Sequence, residues 1–341
     1  MKVSVKQLSK ITGFSPATIS NALNRKKGVS AETSEKILRA AREHGYALEE
    51  RNFTKRIRVV TYRDSGEIFS DTPFFLELLE GVENESHALG YETTVVNLYQ
   101  RHEDYQKRME ELLADAGSGI LLIGTELTEE SARPFAHSLA PLVLLDAYFE
   151  NLPFDAVLMD NDEGVESVVH LLAARGHTEI GYLRGSVRIS NFERRALAFY
   201  GAMMQHGLQI HNEFIVDAGV SIQTANDAVS QAIKAGHKMP TAFFADNDMI
   251  ALGAMQAFQA AGWKIPDDIS IVGFDDITFA KLFSPGLATV RVFKKELGAI
   301  AVQKLLGKMK RPTSIPTRTI AKTKLIVRDS MGVPRKRGTK S

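Results

Sequence analysis

From residue 57 to residue 327, apolar runs of strand length alternate with amphipathic stretches of helix length, and few folds accommodate that pattern. The runs IRVVTY (57–62), TTVVNL (93–98), GILLIG (119–124), LVLLD (142–146) and VLMD (157–160) come first. IGYL (180–183), IVD (215–217), TAFF (241–244), ISIVGF (269–274), LATVRV (287–292) and LIV (325–327) follow. Helical periodicity lies between them, over 74–89, 105–113, a segment after Thr128, and then 163–174, 193–206, 222–235, 248–261 and 296–309. Strands that alternate with helices form parallel sheets covered on both faces. The 341 residues suit about two or three domains. The repeated units therefore predict two doubly wound lobes over 57–330, with a boundary near Asp160 and a C-terminal segment that crosses back.

The first 46 residues follow different rules. Leu8 and Ile11 share a helical face, Gly13 ends that helix, and Ser15-Pro16 supplies an N-cap and a first-turn proline for a second one. Phe14, Ile19, Ala22 and Leu23 are placed to pack on Leu8 and Ile11. A third helix begins at Ser30, with Glu32 suited to its positive end, and stops at Gly45. Two short helices joined by a glycine turn and braced by a third predict a helix-turn-helix unit. Its second helix would present Pro16, Ala17, Thr18 and Asn21 to the DNA major groove. An ordinary helical hairpin in a core would be less polar.

Charge supports a nucleic-acid partner. Residues 1–58 carry 13 Lys/Arg against 5 Asp/Glu, a net of +8 in a chain whose total is +1, so the remainder is −7. Phosphate neutralisation needs local positive charge, and it coincides here with the three-helix segment. The chain has no cysteine, which removes disulfides and thiolate chemistry. No apolar signal core stands at the N-terminus and no run reaches membrane-span length, so a cytoplasmic protein is expected. Residues 47–56 read as a linker and 331–341 as a disordered basic tail.

The segments LSKITGFSPATISNALN (8–24), VSAETSEKI (29–37) and HGY (44–46) resemble the DNA-binding headpiece of the LacI/GalR family of bacterial repressors. In the body the likeness continues through GHTEIGYL (176–183), ERRALAF (193–199), DNDMIALG (246–253), IPDDISIVGFDD (265–276), SPGLATV (284–290) and KELG (295–298). The resemblance implies base-reading positions at Pro16, Ala17 and Asn21, and phosphate neighbours at Ser15, Thr18, Ser20, Asn24, Ser30 and Thr33. It implies a periplasmic-binding-protein-like body, a homodimer on a pseudopalindromic operator, and repression controlled by a small-molecule effector, most readily a sugar. A protein corepressor, as in the carbon-catabolite branch, and a sugar-binding protein without regulatory role are the alternatives.

In open parallel sheets ligands bind beyond the carboxyl ends of the strands. The polar residues standing there are Asp146, Arg184 to Ser186, Asn247, Asp248, Asp275 and Asp276, with Arg195 in the next helix. Carboxylates and an amide can hold sugar hydroxyls and an arginine can fork two oxygens, although Asn247 and Asp248 also suit helix capping. The resemblance assigns effector contact to Asp146, Arg195, Asn247 and Asp275. Many sugar-responsive members have an aromatic where this chain has Val220, and Phe74, Phe75 or Tyr148 could supply the ring instead. His177 reads as a structural residue at a helix end, and no histidine pair has metal-ligand spacing. No phosphate-binding loop, serine elbow or zinc motif is present, so no cofactor and no enzymatic activity are expected. The linker lacks the family's proline and A-R-x-L helix, which predicts that its minor-groove leucine wedge is absent or replaced by Leu48 or Phe53.

Overall fold

A computed structural model describes residues 3–23, 29–44, 54–69, 73–311 and 314–334. At the N-terminus α1 (Val5–Thr12), α2 (Pro16–Leu23) and α3 (Ala31–Glu43) form the three-helix unit. Ser4 and Gln7 close a capping box on α1, and Gly13 ends it at φ 75°, a left-handed turn open to glycine without steric cost. Leu8, Ile19, Ala22, Ile37 and Ala41 make its small core. Ile11, expected in that core, is 47% exposed. Leu8 takes the inward position on α1, and Ile37 and Ala41 of α3 fill the space the sequence reading gave to Ile11.

Two six-stranded sheets follow. The first lobe begins β1 (Arg56–Arg63), α4 (Phe74–Ala88), β2 (Glu92–Tyr99), α5 (Tyr105–Ala114), β3 (Gly119–Ile123) and α6 (Glu129–Ala132). It continues with β4 (Leu142–Leu145) and β5 (Asp155–Met159). The second lobe contains α7 (Asn161–Ala174), β6 (Ile180–Arg184), α8 (Ser190–Gln205), β7 (Ile215–Asp217) and α9 (Ile222–Lys234). After these come β8 (Ala242–Ala245), α10 (Asp248–Ala260), β9 (Ser270–Asp275), α11 (Thr278–Leu282) and β10 (Ala288–Val292). The chain then returns: α12 (Lys294–Lys310) and β11 (Arg318–Ala321) belong to the first lobe, and β12 (Thr323–Ile326) to the second.

Central strands such as β3 and β4 are buried along their whole length, as parallel strands covered on both faces must be. The edge strand β2 is largely exposed. The sheet orders are β11-β5-β4-β3-β1-β2 and β12-β10-β9-β8-β6-β7. All pairs are parallel except β10 with β12, a departure from the all-parallel expectation that arises because β12 enters after a crossing between lobes. Strand β11 carried no apolar run in the sequence: its exposed Arg318 and Ile320 suit an edge beside β5. Helix α12 locks onto α4 where a Cβ on Gly81 would stand 2.1 Å from the carbonyl of Lys295, so only glycine permits that approach. The chain order reverses at β1/β3 in one sheet and at β6/β8 in the other, and these two switch points face the space between the lobes.

Candidate functional site

The loops beyond those switch points enclose a cavity of about 30 Å³, room for a water or two. Phe74, Asp146, Arg195, Asn247 and Asp275, the five expected effector residues, all line it. Asp146 follows β4, Asn247 follows β8, Asp275 ends β9, Phe74 opens α4, and Arg195 lies one turn into α8. Phe75 joins Phe74 in the lining. Tyr148 lies outside, in a neighbouring cavity.

Both carboxylates stand on strained backbone. Asp146 has φ 67°, Asp275 φ 115° and Asp276 φ 49°, conformations that non-glycine residues hold only where surrounding structure compels them. Asp146 accepts hydrogen bonds from Thr125 and, at 2.8 Å, from Asn191. Burial pushes its carboxyl up to about 6, against the hydrogen bonds from Thr125 and Asn191 and the charge of Arg195. Burial likewise raises Asp275, with Arg195 and Lys294 opposing.

Arg195 is buried and fully engaged. It donates to Asn161 Oδ1 at 2.8 Å, to the Asp246 carbonyl at 2.5 Å and to Asp275 at 3.4 Å. Its guanidinium lies 3.7 Å from the Phe274 ring centroid, a cation–π contact that holds the plane fixed. Asn247 serves twice: it lines the cavity and its side chain accepts from Ile250 N at 3.0 Å, capping α10.

The other candidates serve the frame. Asp248 is buried and accepts from Ile277 N at 2.8 Å and from Thr289, tying three segments together. Burial would raise Asp276, but Arg328 and Arg291 outweigh it and hold the carboxyl below its ordinary range. Arg184 pairs with Asp217 at 2.6 Å on the surface, while Gly185 donates to buried Asp246 at 2.8 Å. His177 is buried between Thr241, at 2.9 Å, and the Gly332 carbonyl, at 3.3 Å. Among the described residues no group of three or more His, Asp or Glu could hold a metal ion, and no helix is long and apolar enough to cross a membrane.

Sequence reasoning passed over Thr125, Asn161, Ile189, Asn191 and Phe192. Two signals pointed to them: Thr125 stands just beyond the carboxyl end of β3, and Asn191 precedes Arg195 by four residues, hence on the same helical face. Glu126 was missed as well. Nearly buried, it accepts from the main-chain N–H groups of Asp64, Gly66 and Ile68 at 2.7, 2.9 and 3.1 Å, so one carboxylate holds the loop that carries Ile68 over the cavity. Lys294, also buried, donates to the carbonyls of Asp275 and Asp276 at 2.8 and 3.1 Å and pairs with Glu77 of α4 at 3.4 Å.

In the headpiece, Pro16 and Ala17 are exposed at the start of α2, and Ser20 and Asn21 are partly exposed along it. Ser15 caps α2, accepting from Thr18 N at 3.1 Å. Ser30 caps α3, accepting from Thr33 N at 3.2 Å. Asn24, Leu48, Phe53 and nearly all of the linker lie outside the described residues, as does most of the basic tail.

Comparison with known proteins gives concordant matches. Residues 6–48 match the family of bacterial regulatory proteins, lacI family, and residues 169–331 match a periplasmic binding protein-like domain. The HTH-type transcriptional repressor PurR of Vibrio campbellii is 31% identical over 90% of this chain and 92% of its own. PurR of Pasteurella multocida is 30% identical over 89% and 91%. Among solved structures, the transcriptional regulator CelR in complex with cellobiose superposes with a TM-score of 0.73 at 21% identity, over 97% of this chain and 100% of that one. The lac repressor dimer bound to operator and the anti-inducer ONPF gives 0.72 at 23%, over 98% and 100%. At such identities these structures speak for the fold.

Proposed function

The chain belongs to the lacI family of bacterial regulatory proteins, and from that premise we propose that a small neutral carbohydrate, bound between the lobes, sets its affinity for operator DNA. It is a DNA-binding transcription regulator with a ligand-binding body. In this reading it represses as a homodimer on a pseudopalindromic site, because one short headpiece reads few base pairs and two linked ones multiply affinity. No reaction is assigned to it. Pro16, Ala17 and Asn21 face base edges. Asn21 makes the polar readout, since neither Pro16 nor Ala17 offers a side-chain hydrogen bond.

The observation that carries the ligand class is the pairing of Asp146 and Asp275 around Arg195 in one cavity. Carboxylates accept from hydroxyl pairs and the guanidinium donates to ring or hydroxyl oxygens, while two carboxylates repel an anionic ligand. A cavity of about 30 Å³ is far below the roughly 300 Å³ of an ordinary ligand site, so the ligand enters after the lobes part. A thermal-shift screen of monosaccharides, disaccharides, sugar phosphates and nucleobases tests the reading. A ligand at about 100 to 1,000 times its Kd stabilises by ~3–4 kcal/mol. Stabilisation by nucleobases or sugar phosphates, with none from neutral sugars, would overturn it.

A further inference from the structure

Next to the enclosed cavity lies a second one of about 520 Å³. Met159 of the first lobe and Asn191 of the second line both, so the two cavities are halves of one inter-lobe space divided by a thioether and an amide. The larger half sits beside the crossing at Asp160, with Tyr148 and Arg318 from the first lobe facing Ser190 and Arg194 from the second. Its size falls within the roughly 300–1,000 Å³ of ordinary ligand sites, whereas the inner half holds only the groups that would grip one ring.

We propose that the effector has two ring units, a neutral disaccharide or glycoside, with the inner ring held by Asp146, Arg195 and Asp275 and the second unit in the outer half. This rests on the carbohydrate reading above. The chemistry of the outer lining selects the class. Arg318 lies 4.4 Å over the ring of Tyr148, a flat surface joined to a hydrogen-bond fork, which suits a sugar ring with its apolar face and rim of hydroxyls. Ser190 and Arg194 supply further donors. Glu150, Asp160 and Asp162 share the lining, and Arg194 is already paired with Asp162. A phosphate or carboxylate would therefore meet more negative than positive charge, and a neutral polyol meets no such penalty. The linkage between the units passes Asn191, whose amide also bonds to Asn161 and Asp146, so an extended ligand couples to both lobes at their dividing wall.

Isothermal titration calorimetry on the full chain tests this with cellobiose, maltose, lactose and sucrose, with glucose, galactose and fructose, and with adenine, guanine and hypoxanthine. One disaccharide is expected to bind at least tenfold more tightly than either of its constituents. Tyr148→Ala, and separately the exposed Arg318→Ala, should each remove about tenfold of that affinity and leave monosaccharide binding unchanged. A monosaccharide that binds as tightly as the best disaccharide overturns the two-unit ligand while sparing the carbohydrate reading, and so does a disaccharide advantage that survives both substitutions. Heat from nucleobases alone, or from no probe, overturns the carbohydrate reading itself.

Discussion

Asn191 of the second lobe donates its side-chain amide to Asp146 of the first, at 2.8 Å to the carboxylate and 3.2 Å to the main-chain carbonyl. Both residues are buried, so this link between the lobes is shielded from water. A ligand hydroxyl that bonds to Asp146 competes for the acceptor that holds the lobes together. Closure without ligand and closure around ligand thus use the same carboxylate.

Asn191→Ala removes that link and takes one donor from a buried carboxylate. Stability should fall by ~1.5–3 kcal/mol, the range for hydrogen bonds to charged groups. At about 2–4 °C per kcal/mol for a body of this size, the melting temperature should drop by roughly 5 °C, and small-angle scattering should show a larger radius of gyration. Unchanged melting and scattering would mean that the lobes are held by other contacts.

Asp146 gives the cleft a pH signature. Its carboxyl is raised from 3.8 to about 6 by burial, so the folded chain binds its proton more tightly than the unfolded chain does. That contribution to stability is complete below about pH 4 and is lost as the pH rises through 6, a change on the order of 3 kcal/mol. Asp146→Asn keeps the shape without the charge. It should melt higher than wild type at pH 7, and the difference should shrink toward zero as the pH falls to 4.5. A difference independent of pH would show that Asp146 is not the titrating group.

Glu126 positions the loop that follows β1. Replacing it with glutamine leaves one oxygen to serve main-chain donors that two now serve. Amide exchange at Asp64, Gly66 and Ile68 should accelerate by about tenfold, equivalent to ~1.4 kcal/mol of local opening, with the central strands unaffected. Mass-spectrometric exchange on the intact chain reads both regions, and equal protection in variant and wild type would remove Glu126 from this role.

Asp275→Ala and Arg195→Lys should separate the two ends of the molecule. Each alters a buried group of the cleft, so effector affinity should fall by ~1.5–3 kcal/mol while operator binding in gel shifts stays intact. Unchanged calorimetric affinity in both variants would sink their assignment to the ligand.

Asn21→Ala should cost ~1–3 kcal/mol at one position of each half-site and little elsewhere. Thr33→Ala should weaken all operators alike. An operator-variant library read by competition binding distinguishes the two patterns, and a uniform loss for Asn21→Ala would put the reading helix in the wrong register.

Local pattern by itself determined the element types, the two-lobed plan and much of the cleft. Strand runs such as GILLIG (119–124) are apolar throughout because both faces of the sheet are covered. Strand ends carry ligand residues because that is where loops diverge at a switch point. Those two rules sufficed to place Asp146, Asn247 and Asp275 at strand ends facing one cavity. Periodicity could not decide between Leu8 and Ile11 as the inward residue of α1, since both lie on the same face and only the position of α3 makes one of them buried. Nor could it reveal β11, whose exposed Arg318 and Ile320 follow edge-strand rules rather than the apolar pattern of a central strand. Asn161, Asn191 and Lys294 took their places only when the chain crossed between the lobes. An amide or an ammonium has no preferred burial of its own, and its position follows from the carboxylates and carbonyls that distant segments bring within hydrogen-bond reach.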